Sequence, residues 1–210
     1  MKKFLFITDF DGTVTAQDFF VQIAYRYKHK NVFSKREKSG FELLSEVFGN
    51  LHLTQNEILN EIKHVAFDFN FVNFVKCVKA LGGQVLVLSA GASYYVENKL
   101  KMENLYDEVE VIANDSCYQD GGIKMFRRKN WMFYDEKFGI NKLKIVNYYR
   151  NKFEILAYAG DSYVDFDGCR ICDFKFAKGN LAKVLDLFYI DHYKFFNFAE
   201  VEKILHEIFK

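Results

Sequence analysis

The sequence predicts an α/β protein, a doubly wound and mostly parallel sheet with a small inserted helical cap. Three observations lead there. Five short apolar runs, each ending in small or polar residues, alternate with stretches at helical spacing. None of the five alternates cleanly between apolar and polar positions, which is how a strand buried on both faces reads. The segment from 14 to 75 breaks the rhythm, with aromatic-rich helical pieces and no strand-like run. The expected division is therefore an α/β core of residues 1–13 and 76–210 and a helical cap of residues 14–75.

The elements follow in order. "KFLFITD" (3–9), "QVLVLSAG" (84–91), "DEVEVIAN" (107–114), "EILAYAGD" (154–161) and "DFKFAKG" (173–179) are the expected strands. Helices are expected over roughly 70–81, 92–102, 141–152, 163–172, 179–188 and 198–209, lengths that suit right-handed crossovers between parallel strands. Within the cap, Thr54 and Glu57 form a capping box that opens a helix over 55–65, and Gly40, Gly49 and Asn50 punctuate what precedes it. "DGGIK" (120–124) carries turn signals between two short runs and predicts a hairpin.

Composition narrows the function classes. The 210 residues suit one domain, or one core with a modest insertion. Half are hydrophobic and 24 are Phe, ample for a large core. A formal net charge of +1 gives no whole-protein field to attract nucleic acid. There is no proline, so turns rest on Gly, Asn and Asp. "MKKFLFI" begins like a signal peptide, yet its apolar run stops at Ile7, and no stretch approaches the roughly 18 apolar residues a membrane span needs. A cytoplasmic protein without a membrane partner, monomeric or homodimeric, is expected. The four cysteines do not form a disulfide framework, and Cys169 and Cys172, a CxxC without a second pair, read as reduced core thiols.

In an open α/β sheet, ligands collect at the carboxyl ends of the strands. The first strand delivers Asp9 and Asp11 there, the second Ser89, Ala90 and Gly91, and the fourth Gly160 and Asp161, followed by Asp165. Lys142 stands at the start of the helix leading into that fourth strand. Such a set suits attack on a phosphate monoester. Asp9 is the expected nucleophile, forming an aspartyl-phosphate. Asp11 is the expected acid for the leaving alcohol and base for the water. Lys142, Ser89 and the amides of Ala90 and Gly91 would receive the phosphoryl oxygens. Magnesium suits Asp9, Asp161, Asp165 and the backbone carbonyl of Asp11. Each piece also has a structural reading: Asp11-Gly12 as a turn, Ser162 and Asp165 as a capping box, Lys142 as a surface lysine. Joint placement at successive strand ends favours chemistry, and D-x-D-G-[TS] arises by chance in fewer than about one in fifty chains of this length.

At Asp9-Phe10-Asp11-Gly12-Thr13, Ser89, Lys142 and Gly160-Asp161 through Asp165, the sequence resembles the haloacid dehalogenase superfamily of phosphohydrolases. The resemblance covers most of the chain, since the order and spacing of all four motifs match. A helical cap between the first two motifs is typical of the branch containing phosphoserine phosphatase. Asp18 lies where phosphoserine phosphatases carry a substrate-facing Glu, and is expected to face the substrate. "LSAGASYYV" and "GDSYVD" look closer to the methionine-salvage enol-phosphate phosphatases. Departures from the phosphoserine pattern at Ala90, Ser162 and Val164 point the same way, as does the absence of Lys and Arg from residues 39–62. The resemblance implies a magnesium-dependent phosphatase of a small phosphorylated metabolite, similar to 2-hydroxy-3-keto-5-methylthiopentenyl-1-phosphate phosphatase. Phosphoserine, phosphocholine or phosphoethanolamine as substrate, an inactive binding or regulatory homologue, and a sugar phosphomutase are the alternatives. The cap's basic residues, Arg26, Lys28, Lys30, Lys35, Arg36 and Lys38, read as a solvated face. Its aromatics, such as Phe19, Phe20 and Tyr25, read as cap core before pocket lining.

Overall fold

The computed structural model describes residues 4–29 and 38–209. In chain order the elements are β1 (Phe4–Thr8), α1 (Phe19–Arg26), α2 (Gly40–Gly49), α3 (Gln55–Lys63), α4 (Asn70–Ala80), β2 (Gln84–Ala92), α5 (Ser93–Met102) and β3 (Glu110–Asn114). A hairpin of β4 (Ser116–Gln119) and β5 (Gly122–Met125) follows, then a short pair, β6 (Tyr134–Asp135) and β7 (Gly139–Ile140). The chain closes with α6 (Lys142–Arg150), β8 (Ile155–Gly160), α7 (Phe166–Arg170), β9 (Phe174–Ala177), α8 (Gly179–Leu187), β10 (Tyr193–Lys194) and α9 (Phe198–Ile208).

The main sheet runs β10-β9-β8-β1-β2-β3, and every pairing in it is parallel. From the central β1 the chain winds to β2 and β3 on one side, then returns to β8, β9 and β10 on the other. The order reverses between β1 and β8, which opens a crevice at their carboxyl ends. Alternation decides which side chain faces which layer. Phe4 and Phe6 join the cluster that includes Phe71 and Phe74 of α4 and Phe198 of α9, whereas Leu5 and Ile7 join Ile145 and Val146 of α6 and Leu181 and Leu185 of α8. Both faces of β1 are thus sealed, as its unbroken apolar run requires.

All five expected strands form. The sheet also gains a sixth, β10, whose two residues are exposed and too short to leave a pattern in sequence. The expected hairpin forms, with Asp120 at φ 52° and Gly121 at φ 82° supplying the left-handed turn. The expected helix over 163–172 is instead a 3₁₀ turn, Tyr163–Asp165, followed by the five-residue α7. Its cause is local: the Asp165 carboxylate folds back to accept from the amides of Asp161 and Ser162. Cys169 and Cys172 are buried, reduced thiols.

Between β1 and β2, α1, α2 and α3 are capped by Asp18, Ser39 and Thr54, the last two in full capping boxes with Glu42 and Glu57. They share a core of Phe19, Phe48, Ile58 and Ile62 and rest on the hairpin, where a Cβ on Gly122 would lie 2.6 Å from the Phe48 carbonyl oxygen. The expected cap boundary at 75 falls inside α4. Phe71 and Phe74 pack edge-on or tilted against Phe6 and Phe198, so this helix lies with the sheet from Asn70 onward. Arg26 pairs with Glu61 and Lys38 with Glu46, which leaves the described part of the basic cluster as a solvated face; Lys30, Lys35 and Arg36 lie outside the described residues. Tyr25 is 55% exposed, neither cap core nor pocket wall. Among the described residues no helix is long and apolar enough to cross a membrane.

Candidate active site

The crevice between β1 and β8 is built first by the turn after β1. The Asp9 amide donates to the Ala159 carbonyl (2.9 Å), which locks the end of β1 to β8, and the amides of Thr13, Val14 and Thr15 all converge on the Phe10 carbonyl. Gly12 sits in this turn at φ 74°, and a Cβ there would stand 2.5 Å from Asp161 Oδ2, so both the backbone angle and the neighbouring carboxylate demand glycine. The buried Thr13 hydroxyl donates to Asp9 Oδ2 (3.1 Å) and lies 3.4 Å from Asp161 Oδ1. It bridges the two strands' acids, a role the sequence reading did not assign.

Lys142 is the cation of the site. Its Nζ donates to Asp9 Oδ1 at 2.6 Å and to Asp165 Oδ1 at 2.7 Å, with all three side chains at least nine-tenths buried. Lys144, two residues on, is exposed and does not line the cavity. Asp165 has no exposed surface and both its oxygens are engaged. Oδ1 accepts from Lys142 and the Tyr158 hydroxyl (2.9 Å), and Oδ2 from the Asp161 amide, the Ser162 amide and the Ser162 hydroxyl. The capping box of Ser162 and Asp165 forms, and the same carboxylate shapes the 160–162 turn and holds the lysine.

The third wall is the end of β2, where the pairing with β3 shifts register between Leu88 and Ala92 and bulges the strand beside the site. The Gly91 amide donates to the Ser89 hydroxyl (2.9 Å), and a Cβ on Gly91 would meet Asp11 Oδ2 at 3.1 Å. Asn114 fixes this loop from behind, donating to the carbonyls of Ala90 (2.7 Å) and Phe138 (2.9 Å). Asp11 Oδ1 accepts from the Phe19 amide (3.0 Å). Asp18 caps α1 through Oδ1 and is exposed to the cavity. Tyr95 stacks on Phe19 at 4.2 Å, and its buried hydroxyl faces Asp11 and Thr15.

Among the described residues the site has fewer cations than acids. Asp9 is pushed up to about 7 by burial, with Lys142 opposing and Asp165 and Asp161 adding to the rise. Asp161 is pushed up to about 6, again by burial first and then by Asp165. Burial works against the charge of Lys142, but Asp165 and Asp9 outweigh it and hold it charged. One lysine shared by two carboxylates leaves Asp9 under-neutralised. Asp11 is raised well above the ordinary carboxylate range, by burial first and then by Asp18. Lys178, whose ammonium donates to the Thr13 carbonyl (3.0 Å), is the second cation nearby; burial lowers its pKa. Asp9, Asp161 and Asp165 offer oxygens within 4.8 Å of one another. Of these, Asp9 and Asp161 reach the cavity as hard oxygen donors with unmet need for positive charge, which fits a magnesium ion.

These groups line one cavity of about 370 Å³. Asp9, Asp11, Asp18, Ser89, Ala90, Gly91, Lys142 and Asp161 all reach it, whereas Asp165 stands behind its wall. The far side is apolar: Phe20, Phe41, Leu44 and Phe48 from the cap helices, and Phe138 from the β6–β7 turn. Phe41, Phe138, Thr13, Asn114, Lys178 and Tyr95 escaped the sequence reading. Only Thr13 carried a signal, as the last residue of the first motif.

Fold and site define a class, and comparison with known proteins agrees with it. No protein-family model matches the chain. It is 26% identical to Pdp3-interacting factor 1 of Schizosaccharomyces pombe over 99% of this chain and 97% of that one. It is likewise 26% identical to the 2-hydroxy-3-keto-5-methylthiopentenyl-1-phosphate phosphatase of Brevibacillus brevis, with the same coverages. Among solved structures, a phospho-aspartyl intermediate analogue of phosphoserine phosphatase superposes with a TM-score of 0.70 at 18% identity, over 97% of this chain and 99% of that one. A haloacid dehalogenase family hydrolase from Salmonella enterica serovar Typhi gives 0.69 at 15% identity, over 91% and 66%. The chain thus has the fold of these haloacid dehalogenase-type phosphatases and is similar along its length to a methionine-salvage phosphatase.

Proposed function

We propose that the chain is a magnesium-dependent phosphatase of a small-metabolite phosphate monoester, acting through an aspartyl-phosphate at Asp9. The observation that carries this reading is the contrast between two neighbouring acids. Asp9 touches the ammonium of Lys142, while burial and Asp18 raise the pKa of Asp11, whose Oδ2 lies over Gly91. A nucleophile and an acid are thereby set apart by environment. Asp9 attacks phosphorus and the ester P–O bond breaks, with the Asp11 proton passing to the departing alcohol oxygen. The Asp11 carboxylate then takes a proton from water, which attacks the phosphorus of the acyl phosphate and frees Asp9 and inorganic phosphate. Lys142, the Ser89 hydroxyl and the loop amides at 90–91 bear the charge of the phosphoryl oxygens. Asp9 and Asp161 would hold magnesium together with the Asp11 carbonyl, and the ion would supply charge neutralisation for the approach of carboxylate to phosphate. Asp165, its oxygens taken by five donors, acts by holding Lys142 and the 160–162 turn.

The substrate reading rests on the far wall. Lys142 is the only cationic side chain among the described residues lining the cavity, and it is committed to the phosphate end. Among the described residues, a carboxylate on the leaving group finds no bidentate Arg partner along this wall. Five apolar side chains suit a short thioether tail, since sulfur packs well at aromatic edges. This favours the enol-phosphate of methionine salvage, the substrate named for the Brevibacillus brevis relative, over phosphoserine. Asp18 beside Phe20 favours a second reading, a cationic headgroup such as phosphocholine or phosphoethanolamine.

The test is phosphate release from these four esters, with and without Mg²⁺, using Asp9→Asn as control. Metal-dependent release that is lost in the variant supports the proposal. A folded wild type that binds the esters without releasing phosphate overturns it in favour of a mutase or a binding protein.

A further inference from the structure

On the opposite side of the molecule, α4 and α9 bring together three side chains that the chemistry above does not use. Cys77 projects from the last turn of α4, and Glu202 and His206 lie one turn apart on α9. The Cys77 thiol is 3.5 Å from His206 Nε2, which is 3.9 Å from Glu202 Oε1. All three donor atoms fall within 4.8 Å of one another. The cluster sits toward the amino ends of the strands, on the side where Phe4 of β1 stacks on Phe209 (4.5 Å), and away from the carboxyl-end crevice.

The distances suit a particular class of ion. A tetrahedral zinc with bonds of about 2.3 Å to sulfur and about 2.0 Å to nitrogen sets those two ligand atoms about 3.5 Å apart. Nitrogen and oxygen ligands stand about 3.3 Å apart on the same geometry. Sulfur and nitrogen are already at that separation. The carboxylate must close by roughly 0.6 Å on the nitrogen and must also approach the sulfur from within 4.8 Å to about 3.5 Å, which its partly exposed side chain allows. Magnesium and calcium are excluded by chemistry, because both prefer oxygen and neither favours a thiolate. Two ligands at i and i+4 on one helix, plus one from a packed neighbour, also give a preformed site with small ordering cost. The surroundings leave an approach open, since Glu202, Lys203, His206 and Glu207 line a shallow surface depression.

We infer that Cys77, Glu202 and His206 form a second metal site, selective for zinc or a similar thiophilic divalent ion, that clamps the end of α9 to α4. On binding, the Cys77 thiol releases its proton to solvent, His206 binds through neutral Nε2, and Glu202 through a carboxylate oxygen. One thiolate and one carboxylate balance the +2 charge, and water completes the tetrahedron. The site holds the terminal helix in place and takes no part in phosphate chemistry.

The probe is Co²⁺ titrated into the full metal-free protein, followed by Zn²⁺ competition. The expected result is a thiolate-to-cobalt charge-transfer band with tetrahedral visible bands, saturating at one equivalent and displaced by Zn²⁺. The band should vanish in Cys77→Ser, weaken by at least about 100-fold in apparent affinity in His206→Gln, and persist in Asp9→Asn. Zn²⁺ should raise the melting temperature of wild type and not of the two site variants, while their Mg²⁺-supported turnover stays at wild-type level. His206 is exposed, so its variant tests the idea even if Cys77→Ser misfolds. No charge-transfer band in the folded wild type, or a band retained in Cys77→Ser and lost in Cys169→Ser, would overturn the inference.

Discussion

Replacing Asp165 by Asn separates two ways in which this carboxylate could serve the site. The substitution keeps shape but removes one charge and turns one acceptor oxygen into a donor. Five donors point at the two oxygens: Lys142, Tyr158, the amides of Asp161 and Ser162, and the Ser162 hydroxyl. In either amide orientation at least two of them lose an acceptor. A hydrogen bond to a charged group contributes about 1.5–3 kcal/mol, and breaking one partner of a buried pair costs about 3–5 kcal/mol. With no part of Asp165 exposed, the second figure applies. For a chain of this size each kcal/mol moves Tm by about 2–4 °C, so a fall of about 6–20 °C is expected. The assay is thermal unfolding by circular dichroism, paired with Mg²⁺ titration of turnover. A positioning role predicts the Tm loss and reduced kcat, with Mg²⁺ affinity lowered by no more than about 10–100-fold. A Tm within about 2 °C of wild type, together with loss of Mg²⁺ binding, would make Asp165 a metal ligand and refute the reasoning.

Other expectations follow from the same geometry. Gly12→Ala forces a left-handed residue to carry a Cβ 2.5 Å from Asp161 Oδ2; stability should fall by about 1–2 kcal/mol, and Mg²⁺ titration should show weaker binding. Asp11→Asn removes the acid and should lower kcat by about 10²–10⁴-fold on an alkyl phosphate, with a smaller loss on an aryl phosphate whose leaving group needs no proton. Asp9 and Asp161 hold their protons to about 7 and about 6 when folded, against 3.8 in the ordinary carboxylate. The metal-free protein binds more protons folded than unfolded across that range, so it loses stability as pH rises from about 4 to about 7. Magnesium competes with those protons. The Mg²⁺-induced rise in Tm should therefore be larger at pH 7.5 than at pH 5.5, as scanning calorimetry at the two pH values would measure.

The parts of this site that the sequence disclosed are those written locally. Asp9 and Asp11 follow an apolar run directly, Ser89 and Asp161 close two others, and Lys142 opens a helix, so backbone topology alone brings them together. Asp165 is visible in the last motif, its spacing from Ser162 also fits a cap, and its hydrogen bonds form that cap and hold Lys142. Tertiary packing supplied the remainder. Lys178 reaches Thr13 across 165 residues, and Asn114 spans two loops from the end of β3, neither in any recognisable spacing. Phe41 and Phe138 meet in the cavity from the cap and from a two-strand turn too short to read in sequence. Tyr25 shows the converse: helical spacing included it among the cap aromatics, yet the helix turns it outward.

The central claim is that the phosphoryl group passes to Asp9. It is tested most directly by acid-quenching the Asp11→Asn variant during turnover, when dephosphorylation lacks its base, and mapping the phosphate by mass spectrometry. The account predicts one phosphate, on Asp9, appearing only with Mg²⁺ and absent from Asp9→Asn. Phosphate on Ser89 or any other residue, or undiminished turnover in Asp9→Asn, would contradict it.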